Sequence, residues 1–175
     1  VMGPDGKKKL SKRDGAKDVL DYSREGYLPE AMVNFMATLG WNDGTEQEIF
    51  SMEDLIQKFS LDRVQKSGAR FDEQRLLWIN GAHIRALPLN ELYEKVVDFW
   101  PTSAGGYDDT YKKAVLGITQ ERLKFFGELP ELTEFFFTEP GQEAVTTLLE
   151  DPRNKQLKKL STPQKHAMLQ QVQAA

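Results

Sequence analysis

The chain has 175 residues, 39% of them hydrophobic and 29% charged, with a formal net charge of −4 and no cysteine. That is enough length for one domain or two small ones with a real core, and too apolar a composition for a disordered chain. No apolar run approaches the ~20 residues of a membrane span, no signal-peptide pattern opens the chain, and without cysteine there is no disulfide, thiolate zinc site or thiol nucleophile. A cytoplasmic location and a monomer fit these totals. The charge is unevenly spread: residues 1–24 carry seven cations against four anions and residues 153–175 carry five cations and no anion, whereas 25–62 and 96–152 are strongly acidic. Separate basic patches of this kind permit contact with a polyanion. Solvated helix faces would give the same pattern.

The first stretch with chemical content is Lys7-Lys8-Lys9-Leu10-Ser11-Lys12-Arg13, five cations in seven residues with a hydroxyl among them. Such a run suits nucleotide phosphates, because lysine is a mobile point charge and Ser and backbone N–H groups donate hydrogen bonds. By charge alone the better description is a basic tail. Asp14 is the expected cap of a first helix near 15–24, with Val19, Leu20 and Tyr22 as a narrow apolar stripe and Gly26 as its stop. Pro29 opens a second helix, in which Met32, Phe35, Met36 and Leu39 recur at core spacing before Gly40 ends it. Ser51-Met52-Glu53-Asp54 reads as a capping box, and its helix turns Leu55, Ile56 and Phe59 to one face. Ser60 starts a short turn through Leu61 and Val64.

The polar segment 65–70 breaks the periodicity. Asp72 caps the next helix, with Leu76, Leu77 and Ile79 inward and Gly81 as an interruption. Arg63, Lys66, Arg70, Arg75 and Arg85 surround that element and are candidates for phosphate contact, or for ordinary solvated charge. Pro88 marks the best boundary, before a helix through Leu92, Val96 and Phe99. A longer helix is expected from about Asp108, with Tyr111, Val115, Ile118, Arg122 and Phe125 at helical spacing, and another from Leu129 ending in Phe135, Phe136 and Phe137. Short helices near 142–149 and 153–160 follow, then a last one with Thr162 as cap and Pro163 in its first position. No strand-like alternation persists, so the expected class is mainly α.

Nothing in the chain builds a self-contained active site. No Gly-rich phosphate loop follows a strand, and His83 and His166 stand alone, so we assign no metal site. The order of residues in the opening stretch says more than its charge. Lys9-Leu10-Ser11-Lys12-Arg13 resembles the KMSKS-type signature of class I aminoacyl-tRNA synthetases, and with Asp14-Gly15-Ala16 it is most similar to the bacterial glutamyl-tRNA synthetase family. The resemblance continues through Gly26-Tyr27-Leu28-Pro29-Glu30-Ala31, Leu39-Gly40-Trp41, Phe59-Ser60-Leu61-Asp62-Arg63-Val64 and Leu77-Trp78-Ile79-Asn80-Gly81. It covers roughly residues 2–87 closely and 88–175 loosely, chiefly at Glu128 to Leu132 and the Phe triplet. Gly68 stands where proline is expected.

The resemblance implies an enzyme that activates glutamate with ATP and Mg2+ and transfers it to tRNA(Glu). Lys9, Leu10, Ser11, Lys12 and Arg13 would form the loop that closes over ATP, with Lys12 as the catalytic lysine stabilising the triphosphate as pyrophosphate leaves. Residues 1–13 would end the catalytic domain, 14–87 would form a helical stem-contact domain, and 88–175 a helical, C-terminally incomplete anticodon-binding domain. The nucleotide-binding catalytic domain would be absent. Arg63, Lys66, Arg70 and Arg85 are the expected tRNA contacts. The chain opens on Val inside a motif, so we expect a fragment, and with the catalytic domain absent we expect it to be inactive by itself. A glutaminyl enzyme would have a β-barrel-rich anticodon part, and a glutamyl-queuosine-type relative would stop sooner. The alternative from another class is a helical protein-interaction module with a basic tail.

Overall fold

The computed structural model describes residues 2–3, 17–66 and 68–139, together with Ser161 and Gln164. It divides into a unit over residues 1–137 and a second over 138–175. The described part of the first unit is built of helices and 3-10 turns joined by loops, and the described residues contain no sheet. One isolated parallel bridge pairs Met2 with Arg70.

Helix α1 (Val19–Glu25) is capped by Asp18, not by Asp14, which lies outside the described residues. Asp18 accepts from the Leu20 amide while Asp21 accepts from the Asp18 amide, a reciprocal cap that meets two orphan donors. Gly26 closes it in the left-handed region at φ 89°. The expected stripe is narrower still: Val19 and Leu20 are both 59% exposed, and only Tyr22 is buried.

Helix α2 (Pro29–Thr38) starts on the expected proline, but its buried face is Ala31, Asn34, Phe35 and Thr38, and Met36 is exposed. The buried Asn34 is a fastener. Its Nδ2 donates to the Glu48 carbonyl at 2.9 Å and its Oδ1 accepts from the Phe50 amide at 3.0 Å, which ties the 42–50 loop to α2. Helix α3 (Met52–Lys58) has the expected Ser51 capping box. It buries Leu55 beside Trp41 and Phe50, whereas Ile56 and Phe59, expected on the same face, are exposed. Ser60 caps a 3-10 turn at Leu61–Arg63.

Helix α4 (Glu73–Ala86) is capped by Asp72, which accepts from the Gln74 and Arg75 amides. Gly81 does not interrupt it. A Cβ there would stand 3.5 Å from the Leu123 carbonyl oxygen and 3.6 Å from Lys124 Cα, so the glycine is the point where the 123–124 segment crosses the helix. Helices α5 (Leu89–Lys95), α6 (Asp109–Thr119) and α7 (Leu129–Phe137) follow. Asp108 caps α6, which ends at Thr119 in a 3-10 turn, so Arg122 and Phe125 are not on it, and Ile118 is exposed.

Tyr22, Phe35, Leu76, Ile79 and Ile84 share one core with Leu92, Val96, Leu116, Leu123 and Leu129. The packing therefore runs straight across Pro88, the expected boundary. A glycine contact and an amide hold the two stretches together. Phe126 N–H donates to the Gly26 carbonyl at 3.1 Å. Asn80, fully buried, accepts from the Leu28 amide at 2.9 Å and donates to the Lys124 carbonyl. In the second unit, Ser161 N–H and Oγ both meet Gln164 Oε1 in a capping pattern. The helices expected at 142–149 and 153–160, and Thr162 and Pro163, lie outside the described residues.

Candidate nucleic-acid interface

The phosphate-binding loop predicted from Lys9, Leu10, Ser11, Lys12 and Arg13 lies outside the described residues. Its approach does not: Met2 N–H donates to the Ala69 carbonyl at 2.8 Å and Phe71 N–H donates to the Met2 carbonyl at 2.9 Å. These bonds seat the chain start alongside Arg70, one of the four predicted tRNA contacts.

Three of those four share one exposed segment. Arg63 closes the 3-10 turn after α3, and its guanidinium donates to the Asp43 carbonyl in the turn at 42–45. That turn is itself held by Asn42 and Asp43 accepting from the Gly44 and Thr45 amides. The Gln65 amide donates to the Gly40 carbonyl at 2.7 Å, which ties the segment to the end of α2 and leaves Lys66 and Arg70 exposed to solvent. Arg85 is not with them. It sits on the last turn of α4, about 15 Å along the axis from Arg75 at 1.5 Å per residue. Its Nη1 lies 3.1 Å from where a Gly81 Cβ would stand, so the guanidinium folds back along its own helix.

Arg75 is occupied differently. Its Nε pairs with Glu48 Oε2 at 3.1 Å and its Nη1 donates to the Thr38 carbonyl at 3.3 Å. This pair forms one wall of an open, polar cleft of about 790 Å³ between the end of α2 and the 41–48 loop. The arginine therefore braces the loop, and a half-exposed pair of this kind contributes little stability by itself.

On the other side of the loop, His83 Nε2 lies 3.0 Å from Asn34 Oδ1. Because that oxygen already accepts from Phe50 N–H, and an amide oxygen cannot donate, the histidine must donate through Nε2–H. Burial pushes its pKa below the ordinary 6.5, opposed by the nearby Glu30 carboxylate. At neutral pH it is a positioned donor that holds Asn34 in place.

Two surface residues were not singled out from the sequence. Trp78, on α4, is 49% exposed. Lys124 is exposed and its backbone lies against Gly81, so it adds a cation beside the C-terminal half of α4. The sequence signal for Trp78 was available: it stands three residues after Arg75 and seven before Arg85, off the Leu76–Ile79 face.

Two family models match the chain. One, tRNA synthetases class I (E and Q), catalytic domain, covers residues 2–78, and the other, an anticodon binding domain, covers 91–175. The chain is 42% identical over 142 residues to glutamate–tRNA ligase 1 of Fervidobacterium nodosum, which aligns 81% of this chain with 29% of that protein. It is 41% identical over 170 residues to the glutamate–tRNA ligase of Carboxydothermus hydrogenoformans, aligning 92% of this chain with 35% of the relative. Its fold is similar, at a TM-score of 0.69 and 29% identity, to a glutamate–tRNA ligase from Elizabethkingia meningosepticum, over 91% of this chain and 36% of that one. The chain thus spans about a third of the length of the proteins it matches, and within that span it is similar to bacterial glutamate–tRNA ligases.

Proposed function

We propose that this chain is the part of a glutamate–tRNA ligase that supplies tRNA-contact surface and the ATP-closing loop. The observation that carries the reading is the paired match, a synthetase model over 2–78 followed by an anticodon-binding model over 91–175. We read the division at residues 87–88 as one of roles, stem contact before it and anticodon contact after it, within a shared core.

In the intact enzyme Lys12 would stabilise the charge that develops on the triphosphate as pyrophosphate departs. Lys9 would support the closed loop, Ser11 and backbone N–H groups would orient phosphate oxygens, and Arg13 would add charge. Mg2+ would accompany the ATP. No cluster of three or more His, Asp or Glu side chains among the described residues could hold a metal, so none of them is assigned to that ion. Arg63, Lys66 and Arg70 would contact RNA phosphates as one group and Arg85 as a second, separated by most of the length of α4. The described residues form no nucleotide-binding sheet, and the chain alone is expected not to charge tRNA. Formation of glutamyl-tRNA by the purified chain would refute that.

A filter-binding titration with a tRNA(Glu) transcript over a salt series tests the main reading. Affinity should fall as salt rises, because each phosphate contact releases counterions. Replacing Arg63, Lys66, Arg70 and Arg85 by glutamine should weaken binding and lower the slope by about 1 for each cation removed from a phosphate. An unchanged slope would remove these four from the interface. One observation favours a second reading, a protein-interaction module: Ile56 and Leu61 are 77% and 80% exposed on and just after α3. Binding to a protein partner with no salt-dependent RNA binding would support it.

A further inference from the structure

We infer that Trp78 is a stacking platform for an unpaired nucleobase, set between cations that hold the neighbouring phosphates. The inference rests on the RNA-binding reading above and adds a contact that no charge pattern supplies.

Three observations converge on α4. First, Trp78 is 49% exposed, whereas Trp41 is 2% exposed and the indole nitrogen of Trp100 is buried. A large ring left in water on a helix that buries Leu76, Ile79, Asn80, Gly81 and Ile84 is not serving the core. No aromatic ring or cation among the described residues stacks on it, although ring pairs are frequent elsewhere in this fold, as at Tyr27–Phe125 and Tyr107–Tyr111. Second, at ~100° per residue Trp78 lies within roughly 20° of Arg85 and 40° of Gln74, on the side of α4 away from Leu76. Arg85 is about 10.5 Å farther along the axis. Lys124 flanks the same half of the helix through its contact with Gly81.

Third, the acids of this element are turned to other tasks. Glu73, the one acid within α4, approaches Lys17 at 3.9 Å, and Asp72 is occupied by the helix cap. The face around Trp78 is therefore aromatic and cationic with no carboxylate of its own helix on it. That is the combination single-stranded nucleic acid takes: bases stack on aromatic faces while cations track the backbone. Neither Arg85 nor Lys124 makes an ion pair among the described residues, although the Glu128 carboxylate accepts from the Lys124 amide at 2.8 Å, and that balance of charge favours a polyanion over a protein surface.

The test is a fluorescence and filter-binding titration of this chain with an unmodified tRNA(Glu) transcript, comparing wild type, Trp78→Phe, Trp78→Leu and Arg85→Gln. Stacking predicts that RNA quenches the emission of the exposed tryptophan, and that both Trp78 variants lose this quenching. Trp78→Leu should lose about 5- to 150-fold in affinity with an unchanged salt slope, since one stacked base contributes about 1–3 kcal/mol and no charge. Trp78→Phe should keep most of the affinity, and Arg85→Gln should lower the slope by about 1. Circular dichroism checks that each variant is folded. If the wild type binds RNA and Trp78→Leu binds it equally well, the platform is refuted and the RNA reading stands. If the wild type shows no RNA binding, the RNA reading itself fails. Loss of self-association in Trp78→Leu with RNA affinity intact would make the ring a protein contact and overturn the inference.

Discussion

Gly26 and Phe126 interlock. Phe126 N–H donates to the Gly26 carbonyl at 3.1 Å, and a Cβ on Gly26 would stand 2.5 Å from Phe126 Cβ. The glycine is required twice, for its left-handed φ of 89° and for the space its missing side chain leaves. Through this contact the end of α1 and the turn before α7 are held as one piece. Gly26→Ala should cost roughly 2–4 kcal/mol, from backbone strain and overpacking together. Urea unfolding measures it. A loss below about 1 kcal/mol would mean that the joint relaxes freely.

Asn80 makes the neighbouring joint with its two amide atoms, one accepting from Leu28 N–H and one donating to the Lys124 carbonyl. Asn80→Ala should lose about 2–4 kcal/mol, because the buried Leu28 donor and the part-buried Lys124 carbonyl are both left without partners. Asn80→Asp is the sharper probe. Its carboxylate would face the Lys124 carbonyl in a fully buried site, so it should be far less stable at about pH 8 than at about pH 4, where the neutral acid can still donate. Equal stability of this variant at the two pH values would argue against the assigned amide orientation.

His83 gives the wild type its own pH signature. Burial holds its pKa below 6.5 in the folded state, so between that depressed value and 6.5 the unfolded chain binds more protons. Stability from this group is complete above about pH 6.5 and declines as pH falls below it. The groups facing it are Asn34, which accepts its proton, and the Glu30 carboxylate, which moderates the shift. His83→Gln keeps an N–H donor without titrating and should flatten the stability profile below about pH 6.5. A slope unchanged by this substitution would assign the effect to another group.

The Ser51 capping box closes α3 on both sides, Ser51 Oγ accepting from the Asp54 amide at 3.0 Å and Asp54 accepting from the Ser51 amide at 3.1 Å. The Ser51 amide, and with it the Ser51 hydroxyl at 3.0 Å, donate to the Asp54 carboxylate and hold that carboxyl below its usual range. Ser51→Ala should cost about 1 kcal/mol, and hydrogen exchange should show the loss in the first turn of α3. Because the Asp54 pKa is lowered on folding, the contribution is present at neutral pH and lost as pH falls through the carboxylate range.

Helix starts and stops were legible because caps are local. Asp72, Asp108 and Ser51 each sit where their side chains meet the first free amides, and Pro29 and Gly26 punctuate as their backbone preferences require. Faces were less legible. Met36, Ile56 and Ile118 fit the helical period and are exposed, while Asn34, Asn80 and Thr133 interrupt it and are buried. Periodicity gives the angle of a residue around its helix but not what covers that angle. Asn34 and Asn80 are inside because each satisfies backbone groups of segments 14 to 52 residues away, and no local pattern encodes such partners.

The sequence by itself determined the helical class, the main caps and the ordered run of motifs by which the chain resembles glutamate–tRNA ligases, since these depend on residues a few positions apart. Only the tertiary structure decided that one core crosses Pro88, that Arg75 braces a loop while Arg85 stands apart from Arg63, Lys66 and Arg70, and that Trp78 is left in solvent. Each depends on which distant segment packs against a given face, as Gly81 accepts the backbone of Lys124 and Gly26 that of Phe126. Such contacts are resolved by the folded chain as a whole, because burial is a property of the assembled surfaces and not of any one stretch.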